Sequence, residues 1–240
     1  MNQIFADYEA LSRGAAEFFV AEAREALASR GVFRVALSGG NTPERMFAIL
    51  AAPPLSAQVA WDRVAVFWSD ERCVPPTDER RNSLHARRAW LDRAPAAEAQ
   101  VHPVDCQDDP GRAARAYELA ITARFAGEAP RFDLIFLGLG ADGHTASLFP
   151  GHDQAGDAGR LVREILTGPG EVDRVTFTPG LLNQARVVAF LVSGPEKAQV
   201  VREIQEGPRD PGRRPAQLVQ PSPGRLVWLL DRAAARELPI

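Results

Sequence analysis

The sequence predicts an α/β protein with a mostly parallel, doubly wound sheet and helices on both of its faces. Short, nearly continuous apolar runs alternate with longer segments in which apolar residues recur at helical spacing. Pro and Gly cluster between these segments, and the 45% hydrophobic content is that of an ordinary soluble domain. Strands that are apolar throughout are typical of sheets buried between two helical layers. We therefore expect one three-layer domain over residues 1–240.

The chain begins with an alternation of helix and strand. Ala10–Ser29 is rich in Ala and Glu at helical spacing, and the apolar run Val32–Leu37 predicts the first strand. Thr42 and Pro43 then predict the N-cap and the first residue of a helix that ends near Leu50.

The middle of the chain continues this alternation. Val64–Trp68 and Phe132–Leu137 are short apolar runs that predict two further strands. Helical patterns lie between them over Asn82–Leu91 and Gly111–Phe125. The segment 151–170 is rich in Gly, Asp and Pro, which predicts that it is mostly loop.

The last third of the chain is assigned in the same way. Val172–Thr178 is predicted to be extended, and Arg186–Val192 and Leu226–Leu230 are predicted strands because both are apolar and short. A helix is expected from Pro195 to about Glu206, followed by a loop over 209–215, and a short Ala-rich helix closes the chain.

Charge and composition restrict the partners that we expect. The formal net charge of −3 gives no reason to expect a nucleic-acid partner. No run approaches about 18 apolar residues, so no membrane partner is predicted, and Met1–Tyr8 lacks a secretory signal pattern. Cys73 and Cys106 form neither a C-x-x-C pair nor a disulfide framework. We expect a reduced, cytoplasmic monomer.

Three polar segments directly follow predicted strands, at residues 38–42, 69–72 and 138–144. In a parallel sheet, ligands bind beyond the carboxyl ends of the strands. The three segments are therefore expected to meet at one edge of the sheet and to form a single site.

The first segment, Ser38-Gly39-Gly40-Asn41-Thr42, could bind an anion. Its glycines allow the backbone to approach a ligand closely, and the N–H groups of the following helix point toward it. The segment lacks both the Walker A pattern and the G-x-G-x-x-G fingerprint. An ordinary strand-to-helix turn would explain the same residues, so both interpretations stay open.

The second and third segments carry charged side chains and a histidine. Arg72, with Asp70 beside it, could bind a phosphate through two parallel hydrogen bonds, or could belong to a solvated charged run. His144 lies where a strand has ended and a helix is expected to begin, and it could act as a general base. Asp142 could orient its imidazole, and Gly140 would allow close backbone approach. A capping Asp and a surface His are the alternatives.

Other candidates give weaker signals. Lys197 could supply a cation for a phosphate or could be a solvated lysine, and Arg174 carries the same two interpretations. Cys73 follows an arginine that could lower its thiol pKa, but we interpret it as an inert small residue. His152 and Asp153 lack a third ligand at suitable spacing, so no metal site is predicted.

Taken together, the segments resemble the signature segments of the 6-phosphogluconolactonase family. The similarity is carried by residues 38–43, 68–76 and 138–150, and it continues in order through 174–178, 182–183, 194–198, 215–216 and 230–231. The related glucosamine-6-phosphate deaminases share the Asp-Gly-His segment but follow it with a pattern ending in Phe-Asn-Glu-Pro. Here the His is followed by Thr-Ala-Ser-Leu-Phe-Pro, which is the lactonase form. The chain departs from the family at one earlier position, where Arg81-Asn82-Ser83 replaces the usual Ser-Asn-Tyr.

The resemblance implies a sugar-phosphate isomerase/deaminase-like fold. It implies hydrolysis of 6-phosphoglucono-1,5-lactone in the pentose phosphate pathway, with no metal and no organic cofactor and with this small-molecule lactone as the partner. His144 would be the catalytic base, with Asp142 beside it. The implied substrate-binding residues are Ser38, Gly39, Gly40, Asn41, Thr42, Asp70, Arg72, Gly140 and Lys197. An aminosugar-phosphate deaminase and a non-catalytic sugar-phosphate sensor stay open as alternatives.

Overall fold

The computed structural model describes residues 1–93, 100–107, 109–152 and 159–239. Helices and strands alternate along most of this part of the chain, as the sequence predicts. The strands are β1 (Asn2–Phe5), β2 (Phe33–Leu37), β3 (Val64–Trp68), β4 (Asp70–Arg72), β5 (Leu134–Leu137), β6 (Val162–Ile165), β7 (Arg174–Phe177), β8 (Val187–Val192) and β9 (Arg225–Asp231). The α-helices are α1 (Tyr8–Arg30), α2 (Thr42–Leu50), α3 (Asn82–Ala86), α4 (Pro110–Arg124), α5 (Pro179–Gln184), α6 (Ala198–Glu206) and α7 (Arg232–Ala235).

Six strands form a parallel sheet in the order β1-β9-β8-β5-β2-β3. The chain runs outward from β2 to β3 on one side and from β5 through β8 and β9 on the other. Between β2 and β5, which are paired at Val35↔Leu134 and Ala36↔Ile135, the direction of winding therefore reverses. Such a reversal opens a crevice at the carboxyl ends of the two strands.

The central strands are buried on both faces, which confirms the three-layer prediction. Along β2, Val35 and Leu37 pack into one hydrophobic cluster with α1 and α2, whereas Ala36 packs into the other with α4. This alternation follows from the two-residue period of a strand. It explains why these strands read as continuous apolar runs rather than as alternating patterns.

A second, antiparallel sheet of order β4-β7-β6 accompanies the parallel one. It adds one strand, β6 (Val162–Ile165), to the segment 151–170, whose other described residues are loop as predicted; residues 153–158 of that segment lie outside the described part of the chain. The two middle residues of β6, Arg163 and Glu164, are polar and only half-buried, so the strand lacks an apolar signature. The edge strand β1 was not predicted for the same reason, since its residues alternate between exposed and half-buried.

Two predicted helix starts are wrong. Thr42 is the first residue of α2 rather than its N-cap; Asn41 occupies the cap position without a side-chain capping bond. No helix begins after His144 in the described residues 145–152, which form turns with an isolated bridge between Thr145 and Leu148. The predicted helix 82–91 is confirmed, with a π-helical turn over Arg87–Leu91.

The two cysteines form a disulfide between Cys73 and Cys106. The prediction of two reduced thiols, with Cys73 as an inert residue, is therefore wrong. The partners are 33 residues apart, and their pairing depends on the approach of two loops that local sequence does not report. Among the described helices, none has the length and apolarity to cross a membrane.

Candidate active site

A cavity of about 480 Å³ opens beyond the carboxyl ends of the parallel strands. The three segments singled out from the sequence meet there. The residues around it include Ser38, Gly39, Gly40, Asn41, Thr42, Asp70, Arg72, Gly140, His144 and Lys197, together with Asn82 and Arg174. The predicted substrate-binding residues therefore share one cavity, and Asp142 reaches it through its contact with His144.

His144 is held by Asp142, two residues before it. The Nδ1 atom of His144 lies 2.6 Å from Oδ1 of Asp142, and the same oxygen accepts the His144 backbone N–H at 3.1 Å. A carboxylate at Nδ1 favours the tautomer that carries its proton there. Nε2, which has no hydrogen-bond partner among the described residues, is then a free acceptor at the cavity wall.

The turn that carries this pair requires glycine. A Cβ atom at Gly140 would lie 2.1 Å from Nδ1 of His144 and 2.5 Å from Oδ1 of Asp142, so no other residue fits without displacing them. Gly140 also donates its N–H to the His144 carbonyl at 2.8 Å. At Gly143, φ is +88°, and Arg214 packs against it while donating to the Asp142 carbonyl at 3.0 Å. Sequence reasoning missed Arg214, because its partner is 72 residues away.

The glycine-rich loop after β2 packs against the side-chain amide of Asn82, for which the sequence predicts no role in the site. A Cβ atom at Gly39 would lie 1.7 Å from Oδ1 of Asn82. The amide nitrogen of Asn82 donates to the Asp70 carbonyl at 2.9 Å, whereas Oδ1 is buried without a partner. The Tyr8 hydroxyl contacts the carbonyls of Asn41 and Thr42 at 3.1 and 3.2 Å and fixes the start of α2.

Two acidic residues, Asp70 and Glu71, follow β3, and Asp70 lines the cavity. Asp70 is buried and accepts the Ser147 hydroxyl at 2.8 Å. Burial raises the pKa of Glu71, although three backbone N–H groups at 2.7 to 2.9 Å, from Arg72, Asn82 and Ser83, oppose the rise. Glu71 thus caps the start of α3 and positions Asn82 at the cavity.

Among the described residues, three cations face the cavity: Arg72, Arg174 and Lys197. Arg72 donates through Nη1 to the Arg80 carbonyl at 2.5 Å. Lys197 ends a 3-10 turn after Gly194, and Asp231 fixes the start of that turn by accepting the Gly194 N–H at 3.0 Å. A cavity with three cations and one histidine base suits an anionic substrate that undergoes a proton transfer.

The described side chains around the cavity do not form a metal-binding cluster. Within residues 1–93, 100–107, 109–152 and 159–239, no three or more His, Cys, Asp or Glu side chains cluster as metal ligands would. Of the pair His152 and Asp153, only His152 lies in the described part; it packs at 6.0 Å from the Phe149 ring.

Comparison with known proteins identifies the family. Residues 6–228 match the family model described as glucosamine-6-phosphate isomerases/6-phosphogluconolactonase. A 6-phosphogluconolactonase of Synechocystis sp. is 43% identical over 218 residues, which cover 89% of this chain and 88% of the relative.

Two solved structures share the fold. The 6-phosphogluconolactonase from Trypanosoma brucei superposes with a TM-score of 0.85 at 28% identity, covering 100% of this chain and 98% of that one. A monomeric glucosamine-6-phosphate deaminase superposes with a TM-score of 0.82 at 18% identity, over 98% and 99% of the two chains, and so shows the fold alone. This chain belongs to the family of glucosamine-6-phosphate isomerases and 6-phosphogluconolactonases.

Proposed function

We propose that this chain is a 6-phosphogluconolactonase, which hydrolyses 6-phosphoglucono-1,5-lactone to 6-phosphogluconate in the pentose phosphate pathway. The observation that carries the proposal is the pair of His144 and Asp142 at the wall of a cavity with three cations. The relative from Synechocystis sp. and the solved protein from Trypanosoma brucei are both named 6-phosphogluconolactonase, which supports the same activity.

In the proposed complex, the phosphate of the substrate lies against Arg72, Lys197 and the start of α2. Arginine offers a planar, bidentate donor to phosphate oxygens, and lysine offers a compact charge. The N–H groups at the start of α2, beside Gly39 and Gly40, add partial positive charge. Asp70 and the loop 38–42 complete the walls around the sugar ring.

The chemical step that we propose uses His144 as a general base. Nε2 of the neutral imidazole takes a proton from a water molecule, which attacks the lactone carbonyl carbon. Asp142 holds the ring through Nδ1 and stabilises the imidazolium that forms. When the tetrahedral intermediate collapses, the C1–O5 bond breaks, and the imidazolium returns its proton to the departing ring oxygen. The products are the C1 carboxylic acid, which ionises, and a free hydroxyl.

The remaining expectations are part of the same proposal. We propose that residues 1–240 act as one catalytic domain, as a monomer, without a nucleic-acid partner and in the cytoplasm. The small net charge of −3 supports the absence of a nucleic-acid partner. The disulfide between Cys73 and Cys106 counts against a reducing compartment, because such bonds are rare in the cytosol.

The test is lactone hydrolysis with matched histidine variants. Fresh lactone is generated by glucose-6-phosphate dehydrogenase, and product is measured with 6-phosphogluconate dehydrogenase against spontaneous ring opening. His144→Gln should lower kcat by about 10²- to 10⁴-fold, the usual contribution of a general base. His152→Gln removes a histidine that is exposed outside the cavity, and it should retain full activity.

Two results would redirect the proposal. Full activity in His144→Gln would show that the histidine is not the general base. If the folded wild-type protein does not accelerate lactone hydrolysis, the proposed lactonase activity is refuted. Release of ammonia from glucosamine-6-phosphate would then indicate a deaminase, and thermal stabilisation by sugar phosphates without turnover would indicate a sensor.

A further inference from the structure

Two arginines face each other across the antiparallel sheet at the cavity. The pairing of β4 with β7 sets Arg72 directly opposite Arg174. Opposed residues on neighbouring strands point to the same face with their Cβ atoms about 4.5–5.5 Å apart. Both side chains line the cavity. Because like charges in this position destabilise a sheet, the pair requires an explanation.

Arg174 has no ion-pair partner in the described part of the chain, although the negative charges of Asp70, Glu171 and Glu71 lie near enough to favour its charged form. Its guanidinium makes no hydrogen bond or ion pair there, and Nε is buried without a partner. Among the described residues, its guanidinium lies over the face of the Phe149 ring, whose centre is 5.7 Å from the guanidinium carbon. Nε of Arg72 is also buried and unpartnered. The fold therefore holds two partly desolvated guanidinium groups with donors unsatisfied.

The nearby carboxylates have other partners. Asp70 accepts the Ser147 hydroxyl, and Glu71 accepts the backbone N–H groups at the start of α3. Burial, and then the charge of Arg72, lowers the pKa of Arg174, although arginine stays protonated in proteins. The energetic cost of holding the two charges together is relieved when an anion lies between them.

We propose that Arg72 and Arg174 form a two-guanidinium clamp for the phosphate dianion of the substrate, and that Arg174 makes the enzyme select phosphorylated over neutral lactones. This inference rests on the proposed function and extends its phosphate site by one residue. The phosphate is the only charged group of a phosphorylated lactone, so it is the only part that two guanidinium groups recognise by charge. Guanidinium forks match phosphate oxygens bidentately, which a lysine in either position would not do.

The test separates binding of the phosphate from turnover. Arg174→Gln removes the charge, and Arg174→Lys keeps the charge but loses the fork. Arg174→Gln should raise KM for the phosphorylated lactone by about 10- to 100-fold, the range for losing charge-assisted hydrogen bonds. Arg174→Lys should fall between this variant and wild type. With unphosphorylated glucono-1,5-lactone as substrate, kcat/KM should not change in either variant.

Two further measurements distinguish this role from a structural one. Calorimetric binding of inorganic phosphate should weaken by a similar factor in Arg174→Gln. In the absence of phosphate, this variant should unfold at a temperature no lower than wild type, because an unpaired, opposed charge has been removed. Arg232→Gln changes an exposed arginine outside the cavity and serves as the control for a lost positive charge.

Several results would overturn the inference while leaving the proposed function standing. One is unchanged phosphate binding in Arg174→Gln. Another is an equal loss of kcat/KM on phosphorylated and unphosphorylated lactones, which would put Arg174 at the lactone end of the substrate. A third is early unfolding of the phosphate-free variant with unchanged KM. The opposite combination is also possible. If wild type binds phosphate and Arg174→Gln does not, but wild type opens no lactone, the proposed function is refuted and the clamp is retained.

Discussion

The Nδ1 atom of His144 lies 2.6 Å from Oδ1 of Asp142, and the same oxygen accepts the His144 backbone N–H. Burial alone would raise the pKa of Asp142, but the hydrogen bonds from the backbone and the ring of His144 outweigh it, so the pKa lies below its ordinary value. Asp142 is therefore ionised throughout the neutral range. A permanent negative charge beside the imidazole favours formation of the imidazolium during catalysis.

The first prediction concerns the activity of Asp142→Asn. An amide at this position removes the charge and lets a donor nitrogen face Nδ1, which disfavours the productive tautomer. We expect kcat to fall by about 10²- to 10⁴-fold. The loss is read from kcat measured over about pH 5–9. An unchanged kcat would mean that Asp142 only caps the turn.

The second prediction is the pH dependence of stability in the same variant. A carboxyl whose pKa is lower in the folded state stabilises the fold above its unfolded pKa, for which the reference value is 3.8, and this contribution is lost as the pH falls through the folded pKa. Wild type should therefore be more stable than Asp142→Asn at neutral pH, and the difference should vanish in acid. Urea denaturation over a pH series measures it. A difference that grows on acidification would contradict the lowered pKa.

The third prediction tests the glycine beneath the dyad. In Gly140→Ala, the new methyl group would overlap the His144 ring and the Asp142 carboxylate, so both must shift. A displacement of about 1 Å at a reacting group can cost about 10²-fold in rate. We expect kcat to fall on that scale, with little change in the thermal midpoint. Gly168→Ala is the control, since a Cβ atom there meets nothing within 4 Å; equal losses in the two variants would remove the steric explanation.

The layered fold and the meeting of the three loops could be predicted because both depend on local patterns. The apolar strands β2, β3 and β5 are each visible as short runs, and parallel topology then puts the segments that follow them at one edge. The strands β6 and β1 have no such runs. Their residues alternate or are polar, and pairing with a neighbour rather than composition makes them strands.

The site was predictable only as far as its local motifs extend. His144 and Asp142 are two residues apart, so their contact follows from one turn. Arg174 becomes a partner of Arg72 only through the antiparallel register of β4 and β7. Asn82 likewise reaches Gly39 because Glu71 anchors the start of α3. These relationships link residues far apart in sequence, and hydrophobic periodicity carries no information about them.

The fourth prediction concerns the disulfide between Cys73 and Cys106, whose partners are 33 residues apart in sequence. Restricting the unfolded chain in this way is worth about 2–5 kcal/mol, so a reductant should lower the thermal midpoint by several degrees. Catalysis should change little. Arg81 donates hydrogen bonds to the carbonyls of Val74 and Val104, and the Cys73 N–H donates to the Asp173 carbonyl at 2.8 Å. These bonds do not depend on the disulfide, so the backbone beside Arg72 should stay in place.

The matched control is the double variant Cys73→Ala/Cys106→Ala, whose thermal midpoint should not respond to reductant. A wild-type midpoint that is equally insensitive would contradict the disulfide. Rapid alkylation during extraction, followed by a mass measurement that counts the added alkyl groups, then decides between two states. Two alkylated cysteines would mean that the bond forms only after extraction, which agrees with a reducing cytoplasm. No alkylated cysteine would mean that the bond forms where the protein works, and the proposed location would have to change.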